Sequence, residues 1–210
     1  MTVAVFACLT LSTAPINGSG PRVEESRVVP AGAMPTIVDV RGPVRVEVHG
    51  RDGAPDVRVI AEQDLQALVS VKVEGDTIQI VTKAQPSSSD AIVVIVRMPV
   101  PLVLRVTGPV QLSAPLAGAA SIEASGASRV VATGRPLSLR IKARGATAIN
   151  TNALITDDIT VDVGGAAELD LGTSLSLSVT GSGVGKVRYR GNPQVTTHVS
   201  SSVKVSRVRS

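Results

Sequence analysis

Apolar and polar residues alternate along most of this chain. In residues 44–48, Val44, Val46 and Val48 fall on one side and Arg45 and Glu47 on the other, the two-residue period of a strand with one face buried. The same period predicts strands at 23–29, 36–40, 57–61, 69–73 and 77–82. Glu74-Gly75-Asp76 joins the last two as a hairpin turn, and Arg41-Gly42-Pro43 separates the strand at 36–40 from that at 44–48. Residues 92–97 are nearly all aliphatic, which predicts a strand covered on both faces; Pro99 and Pro101 end it. Residues 64–68 form the one predicted helical turn.

Beyond residue 102 the alternation acquires a longer period. Small turn residues at Gly108, Gly126, Gly145, Gly165, Gly181 and Ser200 recur at intervals of 18, 19, 20, 16 and 19 residues. A recurrence of that length predicts a solenoid: a parallel β-helix with two or three short strands per rung, turned at Gly or Ser. Aligned on these turns, Leu104, Ile122, Ile141, Val161 and Leu177 share one inward column, and Val106, Ala124, Ala143, Val163 and Val179 the next. After the turns, Val110 and Leu112, Ile149, Leu169 and Leu171, and Val187 and Tyr189 repeat the pattern. Asn150 and Asn152 fall near expected corners, where left-handed or bridging backbone suits Asn. The outward residues between the inward ones are Arg105, Glu123, Lys142 and Asp162, which alternate in sign. In a parallel ladder, strands about 4.8 Å apart would set each of these charges against its opposite. A second pair of columns sets Glu168 against Lys186 and Asp170 against Arg188.

Composition supports this architecture. A hydrophobic fraction of 43% excludes a disordered chain, and the absence of Trp, with one Phe and one Tyr, requires a core of small aliphatic layers. Stacked rungs suit that supply, so the fold class is all-β: a parallel β-helix with rungs of about 18–20 residues, preceded by β-hairpins. Residues 3–11 are apolar over about half the length that spans a bilayer, as in the h-region of a secretory signal, and Ser12-Thr13-Ala14 resembles a small-residue cleavage site. No basic segment precedes that stretch, and Pro15 follows the cleavage site. Residues 1–20 are therefore expected to be leader and linker, residues 21–210 one domain, and the protein exported to periplasm, cell surface or medium. The single Cys8 excludes an internal disulfide; with Val5-Phe6-Ala7 it has the outline of a lipoprotein box preceded by only seven residues. Asn17-Gly18-Ser19 matches a glycosylation sequon, a frequent chance match in a turn-rich linker.

One bacterial family carries the same combination of motifs. These are Ala61-Glu-Gln-Asp-Leu65 followed by Val71-Lys-Val-Glu-Gly-Asp-Thr-Ile-Gln-Ile80, the aliphatic strand closed by Met98-Pro99, and Val179-Thr-Gly-Ser-Gly183 with Tyr189-Arg-Gly-Asn-Pro193. With them, residues 23–208 resemble the head-GIN domain family described as putative autotransporter adhesins. The chain departs from the family pattern at Ser200, Ser201 and Ser202, where another Gly-Ser-Gly is usual. The resemblance implies a right-handed β-helix, export and no established catalytic residues.

The chemistry-bearing residues are few. His49 and His198 are the only histidines, and no neighbouring His or Cys completes a metal set, so neither a metal nor a cofactor is expected. Gly181-Ser-Gly-Val-Gly-Lys186 has the look of a phosphate loop, but its spacing is wrong and Val187 stands where Ser or Thr is required. Asp157, Asp158, Asp162, Glu168 and Asp170 are the carboxylates that a β-helix enzyme cleaving polysaccharide would use. Two of them converging in a groove without basic partners would mark that alternative.

Charge is the remaining signal. The net charge is +4, yet Lys186, Arg188, Arg190, Lys204, Arg207 and Arg209 place six cations and no acid in residues 186–210, leaving the rest of the chain slightly acidic. Single-strand nucleic-acid readers stack bases on aromatic rings, and beyond the expected leader this chain has only Tyr189, so nucleic acid is not an expected partner. The six cations are instead a candidate anion-binding patch for acidic glycans or other anionic envelope polymers, or else a charged cap that keeps the last rung soluble. Together these features predict a non-enzymatic adhesive or structural envelope module without a transmembrane helix.

Overall fold

The structure is a computed structural model that describes residues 20–83 and 92–208. Arg209, Cys8 and the expected leader, Gly20 apart, lie outside the described residues. In chain order the strands are β1 (Arg22–Arg27), β2 (Ile37–Arg41), β3 (Val44–Gly50), β4 (Asp56–Glu62), β5 (Val69–Glu74), β6 (Thr77–Thr82), β7 (Ile92–Met98) and β8 (Val103–Thr107). They continue with β9 (Val110–Ser125), β10 (Arg129–Arg144), β11 (Thr147–Ile155), β12 (Asp158–Thr173), β13 (Ser176–Arg190), β14 (Gln194–Val199) and β15 (Val203–Arg207).

These strands wind into a β-solenoid with two long ladders. The first runs β5, β6, β2, β8, then the second halves of β9 and β10, the first halves of β12 and β13, and β14. The second runs β1, β4, β7, β3, then the first halves of β9 and β10, β11, the second halves of β12 and β13, and β15. Six coils follow one another from β8 to β15. A short third side closes each coil, and the register shifts as the chain turns onto it, between Val131 and Thr133, Thr151 and Ile155, and Leu171 and Thr173.

Alternation explains the coil. Every second residue of each strand points inward, and the same aliphatic types stack layer on layer. Ile122, Ile141, Val161 and Val179 form one buried column, and Leu112, Val130, Ile149, Leu169 and Val187 another. Between the ladders the chain turns at a corner lined by glycine. Gly165 and Gly183 are paired there with φ of +102° and +116°, and a Cβ on Gly183 would sit 2.5 Å from the Gly165 carbonyl oxygen. Both the left-handed conformation and the stacking distance exclude a side chain at this corner.

That corner corrects the predicted register of the last coils. Gly183, rather than Gly181, stacks on Gly165, which makes the last glycine interval 18 residues instead of 16; Gly181 pairs with Val163. Leu177 therefore joins Leu139 and Ile159, and Val179 takes the place beside Val161 predicted for Leu177. The slip is two residues, so every side chain keeps its facing. The Asn corners also differ: no described residue other than glycine has positive φ, and Asn150 remains in β11, its Oδ1 accepting the Asn152 N–H at 3.0 Å.

The N-terminal end departs further from the expected hairpins. The hairpin of β5 and β6 is present, but β2–β3 and β6–β7 are complete parallel layers of the solenoid. The later pair β6–β7 lies outside the earlier pair β2–β3, which is sandwiched between it and β8–β9. Two antiparallel strands, β4 and then β1, close the second ladder. The predicted helical turn is a 3-10 turn at Gln66–Leu68. Leu65 plugs this end of the core, and buried Gln66 donates from Nε2 to the carbonyls of Val23 (2.9 Å) and Val59 (3.1 Å). Arg27 donates to both the backbone and side-chain oxygens of Gln66, so the plug carries no unmet amide oxygen. β1 ends at Arg27, leaving Val28 91% exposed, and β7 is fully buried on one face only, with Val93 and Ile95 half-buried on the other.

Candidate functional site

The outward charges follow the predicted columns on the first ladder. Arg105, Glu123, Lys142 and Asp162 occupy one register position in successive layers. Glu123 is shared: Lys142 Nζ lies 3.2 Å from one oxygen and Arg105 Nε 3.5 Å from the other. Asp162 pairs with Arg144, a residue absent from the predicted column, at 2.6 Å. The Arg144 hydrogen bond outweighs the effect of burial and holds the Asp162 carboxyl below its ordinary range.

On the second ladder the five described cations of the predicted six do not form one cluster. Arg188 is held by acids: it donates to Asp170 through Nε and Nη2, and from Nη2 to Glu168 at 2.7 Å. The Asp170 hydrogen bond is the main reason its guanidinium pKa is raised. Glu168 was expected to pair with Lys186; Arg188 takes it instead, because its fork reaches both neighbouring carboxylates. Arg190 pairs in register with Thr173, where the coil has turned onto the third side. Arg207 pairs with Tyr189 and donates to Asn192 Oδ1 at 3.3 Å.

That leaves Lys186 and Lys204. They face one another in register on β13 and β15, both exposed, and neither makes an ion pair among the described residues. Like charges directly opposite in a ladder repel, so this arrangement costs stability that the Arg105–Glu123–Lys142 column does not. The pair lies beside an open groove of about 470 Å³ lined mainly by small side chains, Ala146, Ala148, Ala166, Val184 and Ser202, with Glu168, held by Arg188, on its wall as well. The groove exists because alanines and glycine follow the glycine corner here, where longer side chains would fill the step. An anion placed between the two ammonium groups would relieve the repulsion and take two charge-assisted hydrogen bonds.

The sequence held the signal for this pair. Gly183 and Ser201 are 18 residues apart, and so are Lys186 and Lys204; aligning the last turn on Gly181 and Ser200 hid the match.

The other candidates are placed as follows. Glu168 and Asp170 share a groove of about 280 Å³ but converge on Arg188, and Asp162 is bonded to Arg144. Asp158 accepts from Ser176 Oγ at 2.5 Å. His49 is exposed, 3.9 Å from Glu47, and His198 is exposed in the column after Asp162 and Thr180. No group of three or more metal-ligating side chains occurs among the described residues. Gly181 to Lys186 runs within strand β13, not into a helix. No helix among the described residues is long and apolar enough to cross a membrane.

Comparison with known proteins gives one family and several related folds. The family model described as "Putative auto-transporter adhesin, head GIN domain" matches residues 35–117 and 110–193. A putative adhesin from Bacteroides fragilis superposes with a TM-score of 0.69 at 14% identity, covering 92% of this chain and 100% of that one. A putative lipid binding protein from Parabacteroides distasonis gives 0.53 at 15% identity, covering 93% of this chain and 100% of its own. A putative adhesin from Parabacteroides merdae gives 0.53 at 12% identity, covering 92% and 99%. At these identities the likeness is one of fold. No curated protein sequence matches the chain.

Proposed function

The chain belongs to the head GIN domain family, and from that premise we propose that it is an exported, non-enzymatic adhesive module whose C-terminal coils bind anionic envelope polymers such as acidic glycans. In this reading residues 21–210 are one solenoid domain behind a leader at 1–20. The observation that carries it is the Lys186–Lys204 pair, in register and without an acidic partner among the described residues, beside an open groove. Of the other outward cations on the central strands, Arg105, Lys142, Arg144 and Arg188 are bonded to acids, and Arg129 and Arg140, which make no ion pair among the described residues, face no like charge across the ladder. An elongated groove open to solvent suits a polymer passing along the surface better than a small molecule enclosed by it. Of the acids of the rival polysaccharide-cleaving reading, Asp162 is bonded to Arg144 and Glu168 and Asp170 to Arg188, so these three supply no carboxylate pair without a basic partner.

The test is binding of the purified chain to a soluble acidic polysaccharide at low and high ionic strength. The parent binds at low salt and releases as salt rises. Lys186→Gln with Lys204→Gln lowers affinity by about tenfold, since each surface cation contributes about 1 kcal/mol or less. Arg190→Gln with Arg207→Gln has the smaller effect. Equal binding by the Lys186/Lys204 variant and the parent would overturn the reading.

A further inference from the structure

On the side of the coil away from the glycine corner, the chain carries aliphatic side chains that its core does not use. Leu137, Asp157 and Leu175 stack in successive coils at the corner between the third side and the first ladder. The Asp157 N–H bonds the Leu137 carbonyl at 3.1 Å, and the Leu175 N–H bonds the Asp157 carbonyl at 2.9 Å. Leu137 is 68% exposed and Leu175 71%. Leu102, two coils before Leu137 and 38% exposed, borders the row: its register is that of Leu139, and its Cδ2 would lie 3.4 Å from a Cβ on Gly118. On the adjoining third side Ile155, 53% exposed, pairs with Thr173, which pairs with Arg190; Arg135 precedes Ile155 in the same column. Four large aliphatic side chains therefore lie along one edge of the stack.

Their arrangement indicates what they meet. Coils stack at a spacing of about 4.8 Å, so Leu137, Asp157 and Leu175 span about 10 Å along one line. Leu137 and Leu175 are exposed to nearly the same extent, so both reach a flat surface together. Arg135 and Arg190 flank the row, and neither makes an ion pair among the described residues. Asp157 is the row's own acid, and Asp158 next to it is bonded to Ser176. Aliphatic residues at the tip with guanidinium groups beside them match the depth profile of a lipid interface, with acyl chains below and phosphates at headgroup level. We propose that this edge is a membrane-contacting surface, with Leu137, Ile155 and Leu175 entering the interface of an anionic bilayer and Arg135 and Arg190 meeting lipid phosphates. It would hold the solenoid along the bilayer with the Lys186–Lys204 groove on a different side, free for a polymer.

The experiment is flotation of the full chain with phosphatidylcholine vesicles and with the same vesicles containing phosphatidylglycerol. The parent floats with both and more strongly with the anionic set. Leu137→Ser, Ile155→Ser and Leu175→Ser together reduce partition at least about tenfold on both, because three apolar insertions are lost. The melting temperature of that variant stays close to the parent's, since the side chains are exposed. Arg135→Gln with Arg190→Gln reduces partition several-fold on the anionic vesicles only. The Lys186→Gln/Lys204→Gln variant keeps the parent's partition onto phosphatidylcholine, so failure of the polymer reading leaves this one standing. Unchanged flotation of the triple variant, or a parent that floats with neither vesicle, overturns the proposal. So does a parent that ignores vesicles but sediments as a dimer which the triple variant abolishes; the edge would then be an interface between two copies.

Discussion

On the first ladder Glu123 sits between Arg105 and Lys142 and is bonded to both; on the second, the column that reaches Glu168 continues to Lys186 and then to Lys204. Both columns are built the same way, from outward residues on parallel strands, and both are exposed. They differ in whether each charge finds its opposite one layer away. The first column is explained by the fold it belongs to. The second ends in a repulsion that the fold gains nothing from, and the proposed anion site rests on that difference. On a repetitive surface, where every position has near-equivalents above and below, a departure from the local pairing rule is the feature to test for binding.

The comparison depends on which side chains point out, and the largest expected effect tests that. Val161 is fully buried between Ile141 and Val179, whereas Thr160 beside it is half-exposed. Val161→Asp places an unpaired carboxylate between aliphatic layers and abolishes cooperative folding. Thr160→Asp leaves a cooperative melt with only a small shift. Equal melting temperatures would mean that inward and outward have been exchanged, and the charge columns with them.

A smaller effect probes the neutralised column. Lys142→Glu sets three acids in consecutive layers, Glu123, position 142 and Asp162, and destabilises by about 1 kcal/mol at low salt. Added salt diminishes the loss, because the residues are exposed. A loss independent of salt would point to packing instead of charge.

The smallest effect has the opposite sign. Lys204→Glu turns the Lys186–Lys204 repulsion into an attraction and stabilises by about 0.5 kcal/mol or less. Chemical denaturation at low salt resolves the sign. The same variant loses binding to acidic polysaccharide, so stability and binding move in opposite directions. A destabilised variant would show that the lysines are not in repulsion and remove the contrast between the two columns.

The inward and outward facing of residues was legible in the sequence because it has period two, and the coil recurrence because the turns need glycine. The alternating Arg105–Glu123–Lys142–Asp162 column was legible for the same reasons. The last register was not. Gly181 and Gly183 are two residues apart, both offer the required flexibility, and only the approach of the Gly165 carbonyl distinguishes them. The Lys186–Lys204 pair was lost with that choice, although both lysines were singled out. The preference of Arg188 for two acids was also hidden, since side-chain reach is not written in spacing. The layering of β6–β7 outside β2–β3 left no trace in local pattern, because order in space departs there from order in the chain.

That inverted layering has a mechanical consequence. β2 is bonded along one edge to β6 and along the other to β8, although both follow it in the chain. Tension applied from the N-terminal side first draws off β1, whose single neighbour is β4, and then loads both of these parallel ladders, so their bonds must yield together. β14 and β15 each have a single neighbour, β13, and tension from the other side peels that coil away one bond at a time. The solenoid is thus expected to be polarised under load: beyond β1 it yields ladder by ladder from one end, and it peels from the other.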